Sequence, residues 1–282
     1  MTQTRPPLFD FSAAQRARAR AHRLAGDRFL EQAAAEGLAD RLQAVTRKFE
    51  RGLWIGDAVP EEIAPFAQGW TCAEFDAREM LAVPSSSQQG PFDLAVSLFS
   101  LQWINDLPGA LIQVRQLLKP DGLFLGALLG GGTLGELRES FAHAETATRG
   151  GISPRVAPLA DVRDLGALLQ RGGFALPVAD VERLTVLYRD FFALARDLRA
   201  HGLTNAMAER SRLALRRDTL AGLLEHYAGH HSEDGKLRAR FDTLYLTGWA
   251  PHQSQQQPLK PGSAKARLAE ALGTAELPLK RT

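Results

Sequence analysis

The runs "FDLAVSLFS", residues 92–100, and "LFLGALL", residues 123–129, constrain the fold more than any other feature of the chain. After Asp93 the first is apolar with almost no alternation, and the second is apolar throughout, which is how strands read when a parallel sheet covers both their faces. Between them Asp106 can cap a helix, "LPGALIQVRQLL", that "KPDG" ends with a turn dictated by Pro120 and Gly122. Strand, helix, turn and strand in that order make a right-handed crossover unit. The expected fold class is therefore α/β, doubly wound and mostly parallel.

The flanking segments extend this frame. "TLGE", residues 133–136, is a capping box in which Thr133 and Glu136 would open a helix running toward Thr148. "DVRDLGALLQRGG" repeats the logic with Asp161 in front and Gly172 behind. "FALPVADVERLTVLY" and "LRARFDTLYLTGWA" alternate as two long strands of an antiparallel edge, with helical residues 191–228 inserted between them. Upstream, "GLWIG" reads as a strand, "PEEIAPF" as a helix start that tolerates Pro60 in its first turn, and "WTCAEF" as a second strand with Cys72 an inert apolar filler. "VPSSSQQGP", residues 83–91, is linker-like. Residues 27–49 read as a docking helix. The arginine-rich start before them reads as a solvated amphipathic helix, a composition shared with mitochondrial transit peptides. The expected division is a helical lead-in over 1–49, a Rossmann-like core over 50–190, the insertion over 191–228, closing strands over 229–264 and a tail over 265–282.

Composition excludes several classes. Lys and Arg number 34 against 32 acids, so no net charge calls for nucleic acid. A single cysteine cannot form an intrachain disulfide and fits a reducing compartment, with cytoplasm the default. No run of eighteen apolar residues is present to span a membrane. His230, His231, Glu233 and Asp234 lie in a good hairpin tip, "HSEDG", rather than at metal-ligand spacing, so no metal is expected.

The phrases "WINDLP", "LKPDG", "GGGTLGELR", "DLGALLQRGGF", "RDLRAHGLTNA" and "GWAPHQSQQQP" carry a resemblance. From about residue 9 to residue 264 the chain resembles class I S-adenosylmethionine-dependent methyltransferases, and more closely the methyltransferase-like assembly factor 5 family of respiratory complex I. It is more distantly similar to the malonyl-acyl-carrier-protein methyltransferase of biotin synthesis. The resemblance implies a seven-stranded sheet with an antiparallel last pair and S-adenosylmethionine at the carboxyl ends of the first strands. It also implies a protein substrate, a quinone-proximal complex I subunit modified by arginine hydroxylation rather than methyl transfer.

Two alignments of the first motif stand side by side. In one, Trp54 takes the place of the family's strand acid, and Gly56, Ala58 and Pro60 the places of its three glycines. In the other, Asp57 is the acid that binds ribose at the end of the second strand. On either, the stretch from Asp57 to Phe92 is too short for the family's strands and crossover helices, so the sheet should be one strand–helix unit short, with six strands. The residues implied as cofactor contacts are Gly56, Asp57, Asp76 and Ala77. Those placed near the reacting groups are Gln102 and Trp103, past the fourth strand, and His252, past the last. An S-adenosylmethionine-dependent enzyme and a noncatalytic assembly factor with a degenerate cofactor site both remain open.

Overall fold

The computed structural model describes residues 6–24, 26–84 and 91–256. Residues 1–251 form one compact unit and 252–282 a second. The linker-like residues 85–90 and the tail 265–282 lie outside the described residues.

Helices α1 (Phe11–Ala21) and α2 (Phe29–Gln43) precede strand β1 (Phe49–Ile55). Then come β2 (Ala67–Phe75), β3 (Leu81–Ala82), β4 (Phe92–Leu98), α3 (Leu107–Leu117), β5 (Leu118–Leu129), α4 (Gly135–Arg149) and α5 (Val162–Arg171). The unit closes with β6 (Ala175–Tyr188), α6 (Phe191–Ala200), α7 (Arg217–His230), β7 (Ser232–Glu233) and β8 (Lys236–Trp249). The sheet order is β3-β2-β1-β4-β5-β8-β6, with β7 folded back on β8 as a hairpin. Strands β2, β1, β4 and β5 are mutually parallel, whereas β8 runs antiparallel to both β5 and β6. This is the expected doubly wound sheet with its antiparallel last pair. The sheet has eight strands rather than the six expected, because β3 and β7 add two residues each at its edge and hairpin to six long ones.

The strands behave as their sequences require. β4 is buried along all but its last residue, as a strand covered on both faces must be. At its start the Asp93 carboxylate accepts the Glu50 and Arg51 N–H groups at 3.0 and 2.9 Å, which fixes β4 against β1. Asp106 and Asp161 cap α3 and α5 as anticipated, accepting from Gly109 N at 3.0 Å and Arg163 N at 2.9 Å. One apolar layer joins α3 and α5 to the sheet through Leu111, Val114, Leu165 and Leu169. The opposite layer is built by α2, whose Leu38 and Leu42 meet Trp54, Leu94 and Val96. Gly37 lets α2 lie this close, since a Cβ there would stand 2.2 Å from the Tyr245 hydroxyl.

Three local expectations are corrected. "PEEIAPF" forms no α-helix; residues 60–63 turn and Ala64–Phe66 make one 3₁₀ turn, because the connection from β1 to β2 is too short for a helix with its flanking loops. Thr133 does not cap α4, which begins after Leu134 at a φ of +54°. Its hydroxyl is buried against β8 instead, accepting from Asp242 N at 3.1 Å. Cys72 is exposed rather than a buried filler. Along β2, Ala73 and Phe75 enter the core while Cys72 and Glu74 point to the face that the missing crossover helix would have covered.

Candidate functional site

The chain runs outward from β1 to β2 and then returns to β4, so the sheet reverses direction between β1 and β4. Ligands of doubly wound sheets bind at the carboxyl ends of the strands at such a reversal. A cleft of 410 Å³ opens there, lined by Gly56 and Asp57 after β1, Ser100, Gln102 and Trp103 after β4, and Arg18, His22 and Glu31 from the first two helices. Ser100 holds the two strand ends together by donating to the Ile55 carbonyl at 2.8 Å. The structure thus gathers four of the anticipated residues: Gly56, Asp57, Gln102 and Trp103.

Their surroundings set what each can do. Gln102 is buried, and its side-chain oxygen accepts from Leu129 N at 3.3 Å, tying the β4 loop to the end of β5. Trp103 packs edge-on against Phe9 with ring centroids 5.2 Å apart. It also lines a second cavity of 370 Å³ beside α1 and a third of 210 Å³ beside α6. Asp76 is occupied elsewhere: its carboxylate accepts from Arg78 N and Met80 N at 2.8 and 2.9 Å and shapes the β2–β3 turn that also contains Ala77. His252 begins the second unit, exposed, with Nδ1 2.7 Å from the Ser254 hydroxyl.

The sequence reading missed a charged cluster at this strand end. His22 Nε2 lies 2.7 Å from Asp57 Oδ2, and Arg18 Nη1 lies 3.3 Å from Glu74 Oε1. The Asp57 and Glu74 carboxyl groups interact with one another. The hydrogen bond to Asp57, helped by burial and by the Asp57 charge, pushes Glu74 up to about 7 against the pull of Arg18. The same hydrogen bond holds Asp57 below its ordinary value, with Arg18 and His22 adding to the effect. A signal existed: Arg18 and His22 stand four apart on an expected helix, and the alternation of "WTCAEF" puts Glu74 on an open face. A second missed pair joins His201 Nδ1 to Glu31, leaving His201 Nε2 buried with no partner among the described residues.

Whether these residues suit S-adenosylmethionine is decided at β1. The family's cradle needs several glycines and a helix N-terminus aimed at the cofactor's carboxylate. Here Gly56 alone has the required freedom, at a φ of +154°, and a turn rather than a helix follows it. Trp54 fills the adjoining space: a Cβ on Gly56 would come within 2.8 Å of its indole nitrogen. Asp57, the candidate ribose ligand, is engaged by His22. The residues present do not form that cradle.

A sheet of this order, with its cleft at the β1–β4 reversal, defines the methyltransferase fold, and residues 3–177 match the family described as a methyltransferase domain. The chain is 36% identical over 262 residues to the mitochondrial arginine-hydroxylase NDUFAF5 of Danio rerio, covering 86% of this chain and 81% of that protein. It is equally 36% identical to the same protein of Homo sapiens, covering 76% of its length. A malonyl-[acyl-carrier protein] O-methyltransferase of Gallionella capsiferriformans is 33% identical over 180 residues, 64% of this chain and 57% of that one. The chain belongs to the NDUFAF5 family, on a methyltransferase fold.

Proposed function

We propose that this protein engages a subunit of respiratory complex I around an arginine side chain and does so without S-adenosylmethionine. The relation to the arginine-hydroxylases supports the arginine-bearing partner, and the resemblance to assembly factors supports complex I. The observation that carries the independence from cofactor is the connection after β1, where a turn and Trp54 stand in place of a glycine cradle and helix N-terminus. Glu62 lines the cleft with no ion pair among the described residues, and a guanidinium pairs well with such a carboxylate. Among the described residues no helix is long and apolar enough to cross a membrane, and the compartment proposed is the cytoplasm.

A second reading keeps the enzyme, with S-adenosylmethionine-dependent modification of the same arginine. The size of the cleft at the strand reversal favours it. One experiment separates the two. The protein is mixed with its purified quinone-proximal subunit, with and without S-adenosylmethionine, and followed by native mass spectrometry. The expected result is a stable complex indifferent to the cofactor, with no change in subunit mass. A cofactor-dependent gain of one methyl group or one oxygen establishes the enzyme, and failure to form any complex refutes both.

A further inference from the structure

The 210 Å³ cavity shares Trp103 with the β1–β4 cleft and lies between the end of β5, the start of α4 and helix α6. Its walls are apolar, built by Leu129, Leu137, Phe141, Val156 and Phe191 together with Trp103. One of its two arginines carries no free charge into it. Arg155 is held at 2.7 Å by Glu145, a carboxylate with no exposed surface that also accepts Ser153 N at 2.5 Å and meets Arg149 at 3.4 Å, so the Arg155 charge is paired rather than free. Arg199 differs. It is exposed at the rim, its guanidinium donates only to the Ala195 carbonyl at 3.5 Å, and among the described residues no carboxylate reaches it within ion-pair distance. A second cation reaches the lining, since Thr204 takes a bond at 3.3 Å from Arg20, which likewise has no carboxylate partner among the described residues.

We propose that this cavity is a socket for one apolar side chain of the protein partner, with an acidic group next to that side chain held by Arg199. The inference rests on the protein-partner reading given above. The apolar wall excludes a charged occupant from the interior, because an unpaired charge there would lose its hydration without compensation. The uncompensated cations at the mouth select the sign of what lies just outside it. Trp103 is shared with the cleft, so a partner segment seated in the socket presents its neighbouring residues to Gln102 and Asp57. An anchored apolar residue beside a charged recognition group is the usual division of labour in a polypeptide interface.

The probe is 4-phenylbutyrate, with 4-phenylbutylamine as the charge-reversed control, observed through the methyl resonances of Leu137 and Val156. The carboxylate should give saturable shifts at millimolar concentration, and the amine should bind at least about tenfold more weakly, a difference of about 1.4 kcal/mol. Arg199→Ala should bring the carboxylate to the level of the amine. Ala195→Phe, which fills the socket from the side of α6, should abolish both. Equal binding of the two probes, or binding that survives Ala195→Phe, overturns the proposal. The same variants are then mixed with the complex I subunit. Undiminished complex formation by both overturns the socket while leaving the partner reading intact. Probe binding in a protein that forms no complex keeps the socket and refutes the partner reading.

Discussion

At the scale of single residues, the interaction of Asp57 and Glu74 has a definite signature. Glu74 is a carboxyl raised from its ordinary 4.5 to about 7, so its contribution to stability is fully present below 4.5 and is lost as the pH rises through 7. Asp57 is lowered from 3.8, so its contribution is present above that value and is lost as the pH falls through its folded value. Both side chains are close to half exposed, and the effect on stability is accordingly about 1 kcal/mol or less. Asp57→Ala removes both the hydrogen bond and the neighbouring charge. Glu74 should then titrate near the ordinary carboxylate range, read from its side-chain carbonyl resonance, and the loss of stability between pH 4.5 and 7 should flatten. A Glu74 that still titrates near 7 in the variant would assign the shift to burial instead.

At the scale of elements, α4 and α7 meet through stacked imidazoles. The His226 ring lies 4.3 Å from that of His143 and 4.2 Å from that of His230, and its Nδ1 is 3.1 Å from the Ser140 hydroxyl. Burial first, and then the positive charges of His230, His143 and His231, lower the His226 pKa from 6.5. The unfolded chain therefore takes up this proton more readily, and stability should fall as the pH drops below 6.5. His226→Gln should weaken that dependence, measured as the urea midpoint between pH 7 and 5.5. The trend opposes that of Glu74 over the same interval, so the two variants separate contributions that partly cancel in the parent. Elements of this kind were legible where one force decided them. Uniform apolarity marked β4 and β5, and Asp106 and Asp161 marked helix starts. Thr133 misled because its hydroxyl answers to the β8 backbone, a partner 109 residues away that no local pattern reveals.

At the scale of the whole molecule, the length of chain between Asp57 and Phe92 proved the most informative quantity in the sequence. It forbade the family's full set of strands and crossover helices, whereas Pro60 in a helix-like first turn suggested a helix at "PEEIAPF" that does not form. The cleft was legible in Gly56, Asp57, Gln102 and Trp103 because they follow strand ends in sequence. Arg18, His22, Glu74 and the His201–Glu31 pair were not, since tertiary packing brings them in from elements other than the two strand-end loops. The bare side of β2 has one further consequence, for local opening. This strand is joined to β1 along one edge and only to the two-residue β3 along the other, with most of its residues exposed or half-buried. Such a strand separates from its sheet at less cost than β4 or β5, which have full-length neighbours on both sides. Its backbone amides from Thr71 to Phe75 should exchange with deuterated solvent well before those of Leu94 to Leu98. Because Glu74 rides on this strand, any partner that bridges the cleft to that carboxyl should slow exchange there first.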